Sequence, residues 1–133
     1  MVLTTASSMQ FTQIRGIIMK KLEIIVRPDK LEALKKVLDD HGCGGMTVVA
    51  VMGCGMQKGN VSDVTELKGM KVNINLLPKI QVNAVINDGN LEEILLDIKE
   101  KISTGNVGDG KVFIYEVLDA MRIRSGERGK KVV

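Results

Sequence analysis

Residues 104–113 combine residue types that suit the binding of an anionic ligand. Gly108, Gly110 and Lys111 lie there, between a helix-like segment and a strand-like one. Glycines let backbone N–H groups approach an anion closely, and a lysine supplies a positive charge for phosphate oxygens. Asp109 suits either a hydrogen bond that fixes the turn or a contact to a ribose-like hydroxyl. Glycine-rich turns more often simply end helices, so this pattern gains its weight from two further segments.

The second segment is rich in glycine and contains Gly53, Gly55, Gln57, Lys58 and Gly59. The third places Arg122 and Arg124 on either side of Ile123, and guanidinium groups suit phosphate and carboxylate. Neither glycine segment has the spacing of a Walker motif or of a dinucleotide-binding loop. His41, the single histidine, has no evident nucleophile to activate, so these residues favour binding over catalysis.

The composition excludes several classes of protein. A chain of 133 residues is one ordinary domain. It has no Trp, one Tyr, two Phe and a mild net charge of +3, which argues against a nucleic-acid partner. Its two cysteines, Cys43 and Cys54, are not in the close pairs that bind zinc. The sequence shows no signal peptide and no apolar run near 18 residues, so we expect a cytoplasmic protein with reduced thiols.

The spacing of apolar residues predicts the elements that position these segments. Strands are predicted at residues 21–27, 46–52, 80–86 and 111–117. Each half of the chain also contains one helix. The first has a capping box of Asp29 and Glu32 and ends at Gly42, and the second has a cap of Asn90 and Glu93 and ends at Gly105. Residues 56–75 read as a long polar loop with Leu77 and Pro78 marking the return.

This order predicts an α+β protein, a ferredoxin-like βαββαβ sandwich with a long loop between strands 2 and 3. Both helices are expected on one face of an antiparallel sheet. Because the strands carry apolar residues on both faces, we expect copies of the same chain to cover the other face. Residues 1–18 are expected to be a disordered N-terminal extension or a mis-assigned start, with the domain at residues 19–133.

Five motifs, in order along the chain, resemble the PII family of nitrogen-regulatory signal-transduction proteins. The most specific is Thr104-Gly105-x-x-Gly108-Asp109-Gly110-Lys111-Val112-Phe113, and the others lie at residues 45–48, 53–59, 77–79 and 122–129. The resemblance spans residues 19 to about 129. It implies a ferredoxin-like homotrimer that binds ATP or ADP in clefts between subunits, and 2-oxoglutarate together with Mg²⁺ and ATP.

The resemblance also implies roles for individual residues. Nucleotide-binding residues would be Thr47, Gly53, Gly55, Gln57, Gly108, Asp109, Gly110, Lys111, Arg122 and Arg124. Thr47 and Gly55 would form the floor of the cleft, and the two arginines would reach it from the adjacent subunit. Gln57 would ligate Mg²⁺, an ion that takes oxygen ligands. Gln57, Lys58, Gly59 and Lys79 would contact 2-oxoglutarate.

The implied activity is regulation without turnover, exerted on a target protein such as an ammonium transporter, a nitrogen-metabolism enzyme or nitrogenase. A target transporter would also bring this cytoplasmic protein to the membrane. The chain departs from the family at Met56, where an arginine is common, and at Cys54, where an aromatic residue is usual. The loop lacks tyrosine, which argues against tyrosyl nucleotidylation. Two alternatives stay open: a small nucleotide-dependent enzyme using the same cleft, and a PII-like sensor of another small ligand.

Overall fold

The computed structural model describes residues 19–54, 64–67, 70–73 and 76–133, and for residues 64–67 and 70–73 it describes the backbone alone. The strands are β1 (Met19–Val26), β2 (Thr47–Cys54), β3 (Val64–Leu67), β4 (Met70–Asn73), β5 (Leu76–Asn87) and β6 (Gly110–Val117). The helices are α1 (Leu31–Asp40) and α2 (Leu91–Ile102). Short 3-10 turns lie at Pro28–Lys30, Asp88–Asn90 and Lys130–Val132. No helix in the described part of the chain has the length and apolar character needed to span a bilayer.

Four antiparallel strands form the main sheet, in the order β2-β5-β1-β6. Alternate residues of the two central strands point to one face and are buried there. These residues are Leu22, Ile24 and Val26 of β1 and Val82, Ala84 and Ile86 of β5. Their register is direct, since Leu22 pairs with Ala84 and Ile24 with Val82. The predicted α+β ferredoxin-like sandwich is confirmed.

Both helices cover this buried face. Each one carries its apolar residues at spacings of three and four, which places them on one side of the helix. The buried residues are Leu34, Val37 and Leu38 of α1 and Ile94, Ile98 and Ile102 of α2. They join the sheet residues in a single core cluster.

The helix starts differ from the predicted capping boxes. In α1 the N-cap is Lys30, because Pro28 and Asp29 lie within a 3-10 turn that leads directly into the helix. Asn90 does occupy the N-cap of α2, but in a helical backbone conformation and without a side-chain cap hydrogen bond. The C-terminal prediction at Gly42 holds: its φ is +75°, and its N–H donates to the Asp39 carbonyl at 3.0 Å. Gly105 lies three residues beyond the end of α2.

The segment predicted as an irregular loop contains regular structure. Strands β3 and β4 pair antiparallel, from Val64 opposite Asn73 to Leu67 opposite Met70. Two residues separate these strands in the sequence, which is the spacing of a tight hairpin. Strand β5 also begins four residues earlier than predicted and includes Pro78. Proline is tolerated there because β1 pairs with β5 only from Ile80 onward, so among the described strands Pro78 has a partner on one side alone, in β2.

No helix of the described residues covers the opposite face of the sheet, and this face is less apolar than expected. Its centre is a polar network around the Glu23 carboxylate, which accepts hydrogen bonds from Gln81 Nε2 at 3.2 Å and from the Tyr115 hydroxyl at 3.4 Å. Apolar side chains flank this centre, and Val49 and Phe113 are 48% and 44% exposed. The face is therefore a mixed surface in the single chain. Its burial by further copies stays a prediction.

Candidate ligand-binding site

A cavity of about 420 Å³ lies where the end of β1, the end of β2 and the starts of β5 and β6 meet. We call it the glycine-loop cavity. It is lined by Ile25, Gly53, Cys54, Leu77, Lys79, Val107, Gly108, Gly110, Lys111 and Phe113. Five of the predicted site residues come together there: Gly53, Lys79, Gly108, Gly110 and Lys111. The antiparallel order of the sheet explains this, since residues far apart in sequence end at the same edge.

The lining of this cavity combines apolar and cationic side chains. Ile25, Leu77 and Phe113 supply apolar surface, whereas Lys79 and Lys111 supply positive charge. No acidic side chain lines this cavity among the described residues. Such an arrangement suits a ligand with a flat apolar part and an anionic part, because each half meets a matching surface.

The carboxylate of Asp109 shapes the loop between α2 and β6, residues 103–109, which we call the glycine loop. It accepts hydrogen bonds from the backbone N–H groups of Thr104 at 2.7 Å and Gly105 at 3.0 Å, and from the Thr104 hydroxyl. These bonds, those of Thr104 foremost, lower the pKa of Asp109 from 3.8 to about 2. Asp109 lines neither this cavity nor the second one described below. Its carboxylate therefore fixes the turn, and its contact with a nucleotide stays a prediction.

Arg27 is a residue of this site that the sequence analysis did not identify. Its Nη1 donates to Asp109 Oδ1 at 2.8 Å, and its Nη2 donates to the carbonyl of Val107 at 2.8 Å. Both groups are mostly shielded, with 32% of the Arg27 side chain and 19% of the Asp109 side chain exposed. Arg27 thus ties the glycine loop to the end of β1. The only signal in the sequence is a cation directly before Pro28 at the end of a strand.

A close approach of the backbone at Gly110 and a positive φ at Gly108 explain why glycines stand in this part of the chain. Gly110 has φ +117°, and a Cβ atom there would lie 1.8 Å from the carbonyl oxygen of Ile25. Any side chain at this position would force β6 away from β1. Gly108 has φ +95°, and its carbonyl accepts a hydrogen bond from Lys79 Nζ at 2.8 Å. Lys79 therefore both lines the cavity and holds the loop, in addition to its predicted contact with 2-oxoglutarate.

A second cavity, of about 830 Å³, lies at the other end of the same sheet face, and we call it the arginine cavity. Its lining includes Lys21, Thr47, Asn83, Arg122, Lys131 and Val133. Thr47 pairs with Asn83, whereas Gly53 pairs with Leu77. Thr47 and Gly53 are six positions apart along β2, a distance of about 20 Å at the usual rise. Within one chain, Thr47 therefore lies with Arg122 and apart from the glycine loop, and its predicted place in the floor of a cleft between subunits stays a prediction.

The two arginines occupy different environments. Arg122 lines the arginine cavity, and its Nη1 lies 3.2 Å from Glu127 Oε1. Arg124 lines neither cavity and is exposed to solvent. Ile123 between them is 91% exposed. The tip of this turn therefore projects from the chain, with the Arg124 side chain exposed and the Arg122 guanidinium paired with Glu127.

Several predicted site residues lie outside the described part of the chain. These are Gly55, Gln57, Lys58 and Gly59, together with the substituted position Met56. Among the described residues, no group of three or more His, Cys, Asp and Glu side chains is placed to hold a metal ion. A predicted Mg²⁺ ion would depend on the Gln57 oxygen and on ligand phosphates, which is a common way of binding this ion.

Comparison with protein families gives one match to most of the chain. The family described as "Nitrogen regulatory protein P-II" matches residues 19–127. "Nitrogen regulatory protein P-II 2" of Methanothermobacter thermautotrophicus is 44% identical over 118 residues, which cover 88% of this chain and 99% of that protein. "Nitrogen regulatory protein P-II" of Rhodospirillum rubrum is 42% identical over 112 residues, covering 84% of this chain and 96% of that protein.

Solved structures give the same result for the fold. B. subtilis GlnK superposes with a TM-score of 0.70 and 32% identity over 87% of this chain and 99% of that one. The structure of the B. subtilis GlnK-ATP complex superposes with a TM-score of 0.69 and 29% identity over 87% of this chain and 96% of that one. The second of these structures is a complex with ATP.

Proposed function

Because the chain belongs to the nitrogen regulatory protein P-II family, and is thus a regulatory protein and not an enzyme, we propose that it senses ATP, ADP and 2-oxoglutarate and controls target proteins. The enzyme alternative is set aside, since the relatives are named as regulators.

The observation that carries the proposal is the division of the predicted nucleotide residues between two cavities. Lys111 and the glycine loop lie at one end of the sheet face, and Arg122 and Thr47 lie at the other. About 20 Å of strand separates these ends, so neither cavity of a single chain offers a nucleotide all of these residues together. In a homotrimer, the arginine cavity of one subunit faces the glycine-loop cavity of the next. Three such composite sites form around the assembly.

ATP or ADP suits the glycine-loop cavity by its shape and charge. The wall of Ile25, Leu77 and Phe113 takes the base, and the backbone of Gly108 and Gly110 with Lys111 takes the phosphates. Arg122 and Arg124 of the neighbouring subunit add charge-assisted bonds to these phosphates. ATP in the B. subtilis relative supports this choice of ligand.

Mg²⁺ and 2-oxoglutarate complete the proposed signal. Gln57 supplies an oxygen to Mg²⁺, and Lys58, Gly59 and Lys79 hold 2-oxoglutarate. Ligation at Gln57 then controls how the loop of residues 56–75 contacts the target: an ammonium transporter, a nitrogen-metabolism enzyme or nitrogenase. The protein acts in the cytoplasm and reaches the membrane only with a target transporter. The coupling is reciprocal, so a target that excludes 2-oxoglutarate is itself excluded by it.

A second candidate is a P-II sensor of another small ligand. Cys54 lines the glycine-loop cavity and is exposed, at a position where the family usually has an aromatic residue. A small side chain there leaves room for a ligand of different shape. Titration calorimetry separates the candidates. If the protein senses ATP, ADP and 2-oxoglutarate, calorimetry should detect a heat of binding on adding ATP or ADP. It should detect 2-oxoglutarate binding only when Mg²⁺ and ATP are present.

The matched variants for this experiment are Lys111→Ala and Lys130→Ala. Lys111 lines the glycine-loop cavity, whereas Lys130 is an exposed lysine that lines neither cavity. A charge-assisted hydrogen bond is worth about 1.5–3 kcal/mol, so we expect Lys111→Ala to lose at least about tenfold in ATP affinity. Lys130→Ala should bind as the unsubstituted protein does. Equal affinities in the two variants would contradict the assignment of Lys111.

A further inference from the structure

The arginine cavity holds more positive charge than the family motif accounts for. Besides Arg122, its lining includes Lys21 and Lys131, and no acidic side chain lines it among the described residues. A concave surface with cations on several sides concentrates anions, because their fields add within it. The cavity is therefore suited to a ligand group with several negative charges.

One carboxylate beside the cavity is already bound to two of these cations. Glu127 Oε1 lies 3.2 Å from Arg122 Nη1, and Glu127 Oε2 lies 3.9 Å from Lys131 Nζ. The three side chains are 42%, 37% and 67% exposed for Glu127, Arg122 and Lys131. Ion pairs this exposed are weak, so another anion can replace the carboxylate at little cost.

The turn that presents Arg122 is held by other bonds. The backbone N–H of Arg122 donates to the Glu127 carbonyl at 2.8 Å, and the N–H of Gly126 donates to the Arg122 carbonyl at 2.8 Å. The N–H of Glu127 also donates to the Ser125 hydroxyl at 3.2 Å. None of these bonds uses the Glu127 carboxylate. Its removal should leave the turn in place.

We infer that Lys131 is a further anion-binding residue of the arginine cavity, and that the Glu127 carboxylate holds Arg122 and Lys131 until ligand phosphates replace it. This inference rests on the proposed function, in which the cavity meets the nucleotide of the adjacent subunit. Glu127 then acts as an internal competitor. It keeps the two cations positioned when the ligand is absent and lowers the affinity when the ligand binds.

The test is titration of ATP into the full chain and four variants. Glu127→Gln removes the competing charge and should bind ATP about two- to fivefold more tightly, as expected for an exposed ion pair. Lys131→Gln should bind about two- to fivefold more weakly. Both differences should shrink as the ionic strength rises, since salt screens exposed charges. A purely structural role would not produce this salt dependence.

Two variants of matched charge serve as controls. Glu116→Gln removes a carboxylate paired with Lys20 at 3.4 Å, and Lys130→Gln removes the lysine next to Lys131. Neither side chain lines the arginine cavity, so both variants should bind ATP as the unsubstituted protein does. These controls separate local effects from changes in net charge.

The outcomes distinguish this inference from the proposed function. If the unsubstituted protein binds neither ATP nor ADP, the proposed function fails and the inference fails with it. If ATP binds and Lys111→Ala weakens it, the function stands. In that case, Glu127→Gln binding no tighter than Glu116→Gln, or Lys131→Gln matching Lys130→Gln, overturns the inference alone.

Discussion

Asp109 illustrates how one side chain can prepare a site without lining it. Its carboxylate gathers the N–H groups of Thr104 and Gly105 on one side and the guanidinium of Arg27 on the other. The residue type and its place among glycines were visible in the sequence. Arg27 was not, because 80 positions separate it from the Val107 carbonyl it binds, and no local pattern encodes a contact that the sheet creates.

The first prediction concerns Asp109 and acid. Its pKa is about 2 in the folded chain and 3.8 ordinarily, so its charge stabilises the fold above about pH 4. This contribution is lost as the pH falls toward about 2, where the carboxyl protonates in the folded state as well. Asp109→Asn should therefore lower the urea midpoint of unfolding at about pH 6 and have a much smaller effect at about pH 2.

Asp29→Asn is the control for this measurement, since Asp29 is an exposed carboxylate in the 3-10 turn before α1. It should change the midpoint little at either pH. A loss of stability in Asp109→Asn that stays constant between the two pH values would show that the charge of Asp109 does not support the loop.

At the scale of elements, the spacing of apolar residues predicted which faces of the strands and helices are buried. It did not predict the helix caps or the short hairpin, which depend on the backbone around them. The alternation in β1 and the helical spacing in α1 identify their core faces, and both elements formed as expected. The predicted capping boxes were wrong, because a 3-10 turn leads into each helix: the N-cap of α1 is Lys30, and Asn90 at the N-cap of α2 makes no side-chain cap hydrogen bond. The β3-β4 hairpin was missed, since four-residue strands in a polar stretch leave too short a pattern to detect.

The C-terminus of α1 gives a prediction at this scale. Gly42 has φ +75°, and a Cβ atom there would meet nothing within 4 Å. The cost of Gly42→Ala is thus conformational, and we expect the free energy of unfolding to fall by about 1 kcal/mol. Gly44→Ala is the matched control, because Gly44 also has open space and lacks a positive φ. Equal urea midpoints for the two variants would contradict this account.

At the scale of the whole molecule, the two cavities lie at opposite ends of one sheet face. Neither cavity holds all the predicted nucleotide residues. The sequence showed which residue types belong to the site, and the resemblance suggested that subunits share it. The sequence did not show which of these residues lie at the same end of the sheet. That follows from the strand register, which places Thr47 beside Asn83.

Complementation tests this arrangement. Lys111→Ala damages one cavity and Arg122→Ala the other, so trimers of either variant alone should have only impaired ATP sites. Co-expression of the two, with differently tagged subunits, should yield mixed trimers in which about one site in three combines an intact Lys111 with an intact Arg122. Calorimetry of the purified mixed trimer should then recover a fraction of sites with full affinity. No recovery would contradict a site shared between subunits.

The pairing of β2 with β5 continues as far as Cys54 opposite Leu76, so the sheet fixes both ends of residues 55–75 side by side. The entropy cost of bringing the two ends of this segment together is offset by the hydrogen bonds between β2 and β5. Doubling the length of such a loop costs only about 0.6 kcal/mol more. The segment can therefore gain or lose residues with little effect on the folding of the domain. We expect insertions after Gly59 to alter what the protein can contact, while Gly53, Leu77 and Lys79 keep their places in the sheet.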